Sequence, residues 1–324
     1  MIGIGIDAGG TYIKMLAIDS RGARLREAKL PTCPQDGPEK FLDRIAGELK
    51  EWHSVFRGKR VAAGLGIAGD VAPEQGRIRF SPNLCKWRGI DVCGPLERRT
   101  KISCLLENDA NMAAWGAYDC ELKRKYKNVL AITMGTGVGG GIIMGGKLYH
   151  GGTGSAAEVG HIKIEGEEGA QCNCGGRGCL EAYVGQYAII RRAREAAKKR
   201  GATALFREVC SAKDLSPRAL AHAADNGDKN ALALWRETGR YLGKGLASLC
   251  LVLNPDAVVL AGGVSGASRH FLPAAQEVLK RQQIETPFSH LKIVVSSNPD
   301  LGSLGSAFLA LDWLKTGRKK SFVL

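Results

Sequence analysis

The chain opens on two apolar segments that a glycine-rich turn separates. IGIGID (2–7) and YIKMLAID (12–19) are short and rich in apolar residues, and DAGGT (7–11) joins them. Short apolar runs bounded by glycines are typical of buried strands. The pattern therefore predicts a β-hairpin at the start of the chain.

The same design of strand, glycine turn and strand recurs in the middle of the chain. NVLAITMGTGVGGGIIMGGKLY (128–149) places the turn GTGVGG (135–140) between two apolar runs. This is the one internal repeat that the sequence shows. It predicts two lobes of related construction.

Helical and strand patterns alternate along the rest of the chain, which predicts an α/β protein. PEKFLDRIAGELKEW (38–52) carries Phe41, Leu42, Ile45 and Leu49 on one helical face. Another helix is predicted over 110–120, with Asp109 before it as the N-cap. The remaining predicted helices lie within 188–200, 217–254, 270–284 and 303–315, and the remaining predicted strands within 61–69, 102–109, 256–264 and 291–297.

No low-complexity linker separates the two expected lobes. The chain is predicted to cross between them near residues 119 and 303. Residues 1–119 with 303–324 would then form a small lobe, and residues 120–302 a large one. The length of 324 residues fits two domains, at roughly 150 residues per domain.

The composition is that of an ordinary globular protein, with 44% hydrophobic and 24% charged residues. The first apolar segment has neither the basic start nor the cleavage site of a signal peptide. Residues 128–146 carry no charge, but their seven glycines suit buried strands better than a membrane helix. The sequence predicts a cytoplasmic protein without a membrane segment.

The chain is strongly basic, with 46 Lys and Arg against 32 Asp and Glu, a net charge of +14. The excess is concentrated in KRKYK (123–127), RRAREAAKKR (191–200) and RKK (318–320). It indicates either a solvated cationic surface or attraction of a polyanion such as polyphosphate. Apart from Tyr126, aromatic residues do not interleave the basic runs, so binding of nucleic acid is not expected.

The glycine turns are candidate phosphate-binding sites. GTGVGG satisfies the dinucleotide pattern G-x-G-x-x-G but leads into a strand rather than a helix, which disfavours a dehydrogenase. GIIMGGKL (141–148) has Leu148 where a P-loop needs a hydroxyl that binds magnesium. Two hairpin turns remain, and each offers glycine N–H groups and a threonine, Thr11 or Thr136. Asp7 follows the first strand and could position a hydrated cation.

Five segments taken together point to a family. They are DAGGTYIK (7–14), END (107–109), GTGVGGGIIMGGKLYHGGTGSAAEVGH (135–161), CNCGGRGCLE (172–181) and LAGGV (260–264). Because these five segments occur in this order, the sequence resembles the ROK family of sugar kinases. The resemblance implies a two-lobed α/β fold of the actin-like (ribonuclease H-like) ATPase type with an interdomain cleft. It also implies ATP and Mg²⁺ as cofactors, and a homodimer.

The family resemblance assigns roles to particular residues. Asp109 would be the base that accepts the proton of the sugar hydroxyl, at a strand end beside a helix start. GGVSGAS (262–268) would lie near the adenosine. The residues that would bind the sugar are Asn83, Asn108, Asp109, Glu158, His161 and Glu181. The residues that would bind the nucleotide and its cation are Asp7, Gly9, Gly10, Thr11, Lys14, Thr136, Gly137, Gly262 and Gly263.

Four residues have the spacing of a zinc site, H-x10-C-x-C-x4-C: His161, Cys172, Cys174 and Cys179. One imidazole and three thiolates fill a closed tetrahedral site, so the zinc would be structural and not a Lewis acid for the substrate. His161 could bind zinc through one ring nitrogen and a sugar hydroxyl through the other. The other seven cysteines are expected to be free thiols, most of them buried.

The resemblance implies ATP-dependent phosphorylation of a hexose, most simply of glucose at its 6-hydroxyl. Alternatives are an N-acetylmannosamine or N-acetylglucosamine kinase, a fructokinase and a polyphosphate glucokinase. A sugar-responsive repressor is disfavoured because the hairpin begins at Ile2, with no helix-turn-helix before it. Two loops that border the sugar depart from the family pattern: Ala68 replaces a usual proline, and Cys85 and Lys86 replace a common proline and glycine. The sugar is therefore less well defined than the reaction.

Overall fold

A computed structural model of the chain describes residues 1–317, so the predicted basic run at 318–320 lies outside the described residues. The strands are β1 Ile2–Ala8, β2 Tyr12–Asp19, β3 Arg24–Pro31, β4 Val61–Ile67, β5 Asp70–Ala72, β6 Arg77–Ser81, β7 Trp87–Asp91, β8 Ser103–Asn108, β9 Val129–Met134, β10 Val138–Met144, β11 Lys147–Leu148, β12 Ala257–Ala261 and β13 Lys292–Val295. The α-helices are α1 Pro38–Val55, α2 Cys93–Thr100, α3 Asp109–Cys120, α4 Glu181–Val184, α5 Gln186–Ala197, α6 Ala204–Ser211, α7 Pro217–Asp225, α8 Lys229–Leu253, α9 Ser268–Lys280, α10 Thr286–Ser289 and α11 Leu301–Thr316. Short 3-10 helices lie at Pro34–Asp36, Val159–His161 and Gly263–Ala267.

Each predicted helix and strand has a counterpart, except that the single helix predicted over 217–254 is two helices, α7 and α8, and Asp228 caps the second. The short helices α2, α4, α6 and α10, the edge strand β3 and the three-stranded sheet β5-β6-β7 were not predicted. Within the described residues, no helix is both long enough and apolar enough to cross a membrane.

Two five-stranded sheets share one strand order. The first is β3-β2-β1-β4-β8, and the second is β11-β10-β9-β12-β13. In the first sheet the hairpin β1–β2 is antiparallel, whereas β1–β4 and β4–β8 are parallel. In the second, β10–β11 is antiparallel and β12–β13 is parallel. The predicted repeat of strand, glycine turn and strand therefore extends to the whole sheet.

The described chain forms two compact units. The first contains 1–129, 141–157 and the chain from residue 300 onward, and the second contains 130–140 and 158–299. Compared with the predicted lobes, residues 120–129, 141–157 and 300–302 belong with the first unit. The packing gives the reason, because a Cβ at Gly141 would overlap the side chain of Ala114 on α3. The strand after the second glycine turn therefore lies directly against α3.

The core of the first unit confirms the predicted amphipathic helix. Phe41, Leu42, Ile45 and Leu49 of α1 are all buried, and Trp52 joins them. The ten cysteines are all free thiols. Seven of them lie outside the zinc motif. Four of the seven are buried (Cys93, Cys104, Cys210 and Cys250), two are half-buried (Cys33 and Cys120), and Cys85 is exposed. This agrees with the prediction that most of them are buried.

Two cations of the predicted basic runs are structural. Arg124 donates to Asp119 at 2.7 Å and also to Asp312 on α11. Arg192 on α5 is largely buried and donates to the carbonyl of Tyr183 at 2.6 Å and to Glu237 at 3.0 Å. Part of the net positive charge therefore holds the fold together rather than forming a solvated surface.

Helix α11 packs unusually close to the first sheet. A Cβ at Gly5 of β1 would overlap the carbonyl oxygen of Ser303, and a Cβ at Gly64 of β4 would overlap that of Ser306. Backbone lies against backbone at both positions, so neither side can yield by a rotamer change. Glycine is needed at both positions for α11 to cover the sheet.

Gly5→Ala is expected to lower the free energy of unfolding by about 3 kcal/mol, because the new methyl group must push α11 off β1. Urea unfolding followed by circular dichroism measures the effect. The control is Gly47→Ala on the exposed face of α1, where a Cβ meets nothing within 4 Å. That change should raise the free energy of unfolding by up to about 1 kcal/mol, since alanine is the better helix former. Equal stability of the two variants would contradict the close packing.

Candidate active site and metal centre

Two hydrogen bonds to the backbone of Gly9 hold the first glycine turn, both within the first unit. Gly9 N–H donates to the carbonyl of Tyr12 at 3.1 Å, and the Thr32 hydroxyl donates to the carbonyl of Gly9 at 2.7 Å. Gly10 and Thr11, at the tip, are exposed. The fixed backbone and the exposed tip suit the predicted contact with phosphate.

Asp7 lies at the end of β1, directly opposite Lys14 of β2 in the antiparallel register. Burial raises the pKa of the Asp7 carboxyl, and the charge of Lys14 partly opposes this. A Cβ at Gly302 would lie 2.8 Å from Asp7 Oδ2, so the carboxylate abuts the first turn of α11. Lys14 Nζ also lies 3.5 Å from Asp300 Oδ1. A half-buried carboxylate with a raised pKa gains from a bound cation, as the predicted role of Asp7 requires.

Parallel pairing brings the carboxyl ends of three strands to one edge of the first sheet. Asp7 is paired with Gly66 of β4, and Gly66 with Glu107 of β8. Asn108 and Asp109 follow Glu107 directly. The first glycine turn and the predicted catalytic base therefore belong to the same sheet edge.

The cap of α3 corrects one sequence prediction. Asn108, not Asp109, is the N-cap, because its side-chain oxygen accepts from Ala110 N–H at 2.9 Å and from Asn111 N–H at 3.2 Å. Asn108 Nδ2 donates to the carbonyl of Gly69 at 3.0 Å. The oxygen of Asn108 is thus committed to the helix and one amide hydrogen to Gly69, so only the second amide hydrogen remains for a substrate. Asp109 lies in the first helical turn, where a negative charge interacts favourably with the helix dipole.

A buried pair that sequence reasoning missed supports this helix start. His150 Nε2 lies 2.7 Å from Glu107 Oε2, and the contact is an ion pair when the imidazole is protonated. Glu107 Oε1 accepts from Asn108 N–H at 2.9 Å and from Asn111 Nδ2 at 3.0 Å. The pair fixes the start of the 150–157 loop to the strand end that carries Asn108. Glu107 belongs to the quoted END motif, but nothing local in the sequence shows its partner.

His150 should make stability depend on pH. Burial alone would lower its pKa, but the contact with Glu107 outweighs burial, so the pKa is raised above its ordinary value. The stabilisation is complete below the ordinary pKa of about 6.5 and is lost as the pH rises through the higher folded value. The difference in free energy of unfolding between the wild type and His150→Gln should therefore shrink from about pH 6 to about pH 9. Urea titrations at several pH values measure it, and a constant difference would contradict the ion pair.

The loop after β6 shows where the chain departs from the family pattern. A Cβ at Gly10 would lie 3.4 Å from the carbonyl oxygen of Asn83, so Asn83 lies beside the first glycine turn. Cys85 and Lys86 both have left-handed backbone, with φ of 49° and 58°. A left-handed backbone favours glycine, which agrees with the glycine expected from the family resemblance in place of Lys86.

In the second unit, the second glycine turn meets the segment after β12. Gly135 N–H donates to the carbonyl of Gly137 at 2.9 Å, which closes the turn around Thr136. Gly262 has a φ of +92°, and a Cβ there would overlap the backbone of Met134 just before the turn. Thr136, Gly137, Gly262 and Gly263 are thus brought to one place, as the nucleotide prediction requires.

The four residues of the zinc motif come together in the second unit. One ligand atom from each of His161, Cys172, Cys174 and Cys179 lies within 4.8 Å of the others. Cys174 Sγ and Cys179 Sγ are 3.8 Å apart, and Cys172 Sγ lies 3.8 Å from His161 Nδ1. Sulfurs bound to a tetrahedral zinc at about 2.3 Å are about 3.8 Å apart, so the donor set fits zinc. Burial raises the pKa of the Cys172 thiol to about 12, and a cation would hold it as the thiolate.

Two further side chains contact the cluster, and sequence reasoning missed both. Lys163 Nζ donates to Cys179 Sγ at 3.1 Å and to the carbonyl of Arg177 at 2.6 Å. The Tyr187 hydroxyl donates to Cys172 Sγ at 3.6 Å. Three thiolates and one zinc would carry a net charge of −1, which the ammonium of Lys163 would balance. Lys163 lies only two residues after His161, which was the one local signal.

Lys163→Met should weaken zinc retention, because it removes the balancing charge and the hydrogen bond to Cys179. Loss of such a supporting contact is expected to speed chelator-driven zinc release by on the order of tenfold. A chromogenic chelator follows the release directly. Lys198→Met, an exposed lysine of the same unit, is the control and should release zinc at the wild-type rate. Equal rates for the two variants would show that Lys163 does not support the cluster.

The predicted sugar ligands of this unit lie around the same cluster. His161 turns Nδ1 to the cluster, while Nε2 lies 3.9 Å from Glu158 Oε2. Glu158 is exposed, whereas Glu181, the first residue of α4, is buried. Its carboxylate accepts from Val138 N–H at 2.8 Å. Metal ligation and the predicted sugar contacts therefore depend on the same short segments.

Comparison with known proteins agrees with this geometry. The ROK family model matches residues 3–312, and the chain belongs to the ROK family. A glucokinase of Halalkalibacterium halodurans is 36% identical over 82% of this chain and 81% of its own length. The crystal structure of a ROK family glucokinase from Streptomyces griseus in complex with glucose and AMPPNP has a TM-score of 0.80 and 33% identity, over 96% of this chain and 100% of that one. A xylose repressor of Caldicellulosiruptor bescii is less similar, at 27% identity over 92% of this chain and 74% of its own length.

These matches confirm the family and the actin-like α/β fold that the sequence predicted. The structure brings the predicted residues together within each unit. The first unit holds Asp7, Gly9, Gly10, Thr11, Lys14, Asn83, Asn108 and Asp109. The second holds Thr136, Gly137, Glu158, His161, Cys172, Cys174, Cys179, Glu181, Gly262 and Gly263.

Proposed function

We propose that the chain is an ATP-dependent glucokinase that transfers the γ-phosphate of ATP to the 6-hydroxyl of glucose. Its similarity over nearly its whole length to a ROK glucokinase solved with glucose and AMPPNP carries the proposal. The identity to glucokinases is higher than that to the xylose repressor, which favours a kinase. The two glycine turns and the carboxylate of Asp109 are the parts that phosphoryl transfer requires.

In this proposal the first unit supplies the base. Asp109 accepts the proton of the sugar hydroxyl while the hydroxyl oxygen attacks the γ-phosphorus of ATP. The bond from that phosphorus to the β,γ-bridging oxygen breaks, and ADP leaves. Asp7 holds a hydrated Mg²⁺, which neutralises phosphate charge when it is bound. Gly9, Gly10, Thr11 and Lys14 bind phosphate oxygens. Thr136 and Gly137 of the second unit do the same, with Gly262 and Gly263 beside the adenosine.

Sugar recognition is proposed for five polar residues besides Asp109: Asn83, Asn108, Glu158, His161 and Glu181. Convergent amides and carboxylates discriminate between polyols because each unsatisfied partner costs binding energy. Asn108 serves through its second amide hydrogen, since its oxygen caps α3 and its first amide hydrogen donates to Gly69. Zinc, bound by four protein ligands, stays outside the reaction and fixes His161 and the segment before Glu181.

A coupled assay over a panel of sugars, with ATP and Mg²⁺, tests the function. Glucose should be phosphorylated with the highest kcat/KM of the panel. A higher value for fructose, N-acetylmannosamine or N-acetylglucosamine would assign the chain to that substrate instead. Replacing ATP by polyphosphate tests the remaining donor. Absence of phosphorylation of every hexose and N-acetylhexosamine would overturn the proposal.

A further inference from the structure

The carboxylate of Glu181 lies between the metal cluster and the second glycine turn, all within the second unit. Glu181 Oε1 is 3.5 Å from Cys172 Sγ, one of the four cluster atoms. Glu181 Oε2 accepts from Val138 N–H at 2.8 Å. Val138 is the first residue of β10 and directly follows the turn Gly135–Gly137. One buried carboxylate thus touches both sites.

The turn is shaped to receive this carboxylate. A Cβ at Gly137 would overlap Glu181 Oε2, so only glycine admits the contact. The other end of the turn is held by the same segment, because Gln186 N–H donates to the carbonyl of Gly135 at 3.0 Å. On the metal-ligand side, a Cβ at Gly160 would overlap the carbonyl oxygen of Val138, so the residue before His161 also packs on the turn's exit.

We propose that Glu181 is a positioning residue through which the metal cluster sets the geometry of the nucleotide-binding turn. Zinc fixes Cys179, two residues before Glu181, and therefore the start of α4, from which the Glu181 carboxylate extends with one oxygen, Oε1, toward Cys172. The other oxygen then holds Val138 N–H and the peptide plane after Gly137. The inference rests on the proposed function to the extent that this turn binds the phosphates of ATP.

The consequence is a dependence of nucleotide affinity on zinc that does not pass through the sugar. If the cluster loosens, Val138 N–H loses a fixed acceptor, and an unpaired buried N–H costs about 1–3 kcal/mol. The turn then samples other conformations, and the nucleotide must restore the productive one at the expense of affinity. If zinc acted only through His161, its removal would weaken sugar binding but leave nucleotide binding unchanged.

The test measures binding of a non-hydrolysable ATP analogue with Mg²⁺, by calorimetry and without sugar. Removing zinc from the wild type should weaken binding by about tenfold. Zinc-loaded Glu181→Ala should be weakened to the same extent, and removal of its zinc should add no further loss. Glu181→Gln should retain wild-type affinity, because its side-chain oxygen still accepts from Val138 N–H. Metal analysis and the unfolding midpoint verify that each loaded variant retains zinc and its fold.

Tyr187→Phe is the matched control, because its hydroxyl donates to the same Cys172 sulfur and accepts from Asn173 N–H, outside the turn Gly135–Gly137. With zinc bound it should bind the analogue like the wild type. Equal affinity of loaded and stripped wild type, or wild-type affinity in Glu181→Ala, would overturn the inference alone. Absence of binding to the loaded wild type would overturn the proposed function as well. If the zinc-free protein unfolds, nucleotide affinity is compared among the zinc-loaded wild type, Glu181→Ala and Glu181→Gln. That comparison then decides whether Glu181 positions the turn.

Discussion

Asp109→Asn is expected to reduce kcat for sugar phosphorylation by about 100- to 10,000-fold, the range for loss of a general base. The substituted amide still accepts a hydrogen bond from the sugar but cannot take its proton. The KM values for sugar and ATP should therefore change far less than kcat. Steady-state kinetics with the preferred sugar measures both.

The structure indicates that this substitution leaves the start of α3 in place. Asn108 provides the cap of α3, so the helix still begins at residue 109 when Asp109 is changed. The substitution also removes a negative charge from the first turn, and that charge is worth about 0.3–1 kcal/mol of stability. Had Asp109 been the cap, as the sequence predicted, a fall in activity could have reflected a frayed helix start. Unfolding in urea should verify a change of this small size.

Asp119→Asn makes the same chemical change near the other end of α3, about 15 Å along the helix. Asp119 binds Arg124, which keeps its second partner, Asp312, when Asp119 is changed. The control should retain wild-type kcat. Equal activity of the two variants would show that Asp109 is not the base.

The cap of α3 also shows the limit of local sequence reasoning. Two adjacent residues in END, Asn108 and Asp109, are both good caps. The choice depends on where β8 ends, and pairing with β4 keeps Asn108 within the strand. Sequence locates the helix start to within one residue but does not choose between the two. That single position decides which of the two side chains caps α3.

Elements with strong local patterns were predicted, and elements defined by pairing were missed. The β1–β2 hairpin and α1 each carry an apolar run or face long enough to identify them. In contrast, β3 is an edge strand with no fully buried residue, and β5 is a strand of three residues. Both are strands because of their neighbours in a sheet, and nearby sequence does not contain that information.

At the metal centre, too, the features with a local pattern were predicted and the contact between distant residues was missed. Cys172, Cys174 and Cys179 lie within eight residues of one another, so their spacing alone predicted the cluster that the structure assembles. The contact of Glu181 with Val138 joins residues 43 positions apart. Only the fold brings α4 to the second glycine turn. Family resemblance named both segments but gave no reason for them to touch.

His161→Ala should lower both zinc content and sugar affinity, since Nδ1 faces the cluster while Nε2 faces Glu158. Zinc should fall well below the expected content of about one per chain, and the unfolding midpoint should fall with it. The comparison is the double variant Cys172→Ser with Cys174→Ser, which should lose zinc and stability through the sulfur ligands. Metal analysis, thermal unfolding and sugar binding by calorimetry measure the three effects.

Excess zinc separates the two roles of His161. Three thiolates without the imidazole still bind zinc, though more weakly, so enough added metal should restore the unfolding midpoint of His161→Ala. Sugar affinity should stay low, because the ring nitrogen that faces Glu158 is absent whether or not zinc is bound. Cys85→Ser, a change at an exposed cysteine outside the cluster, should alter neither zinc content nor midpoint. Recovery of sugar affinity together with the midpoint would mean that His161 serves the metal alone.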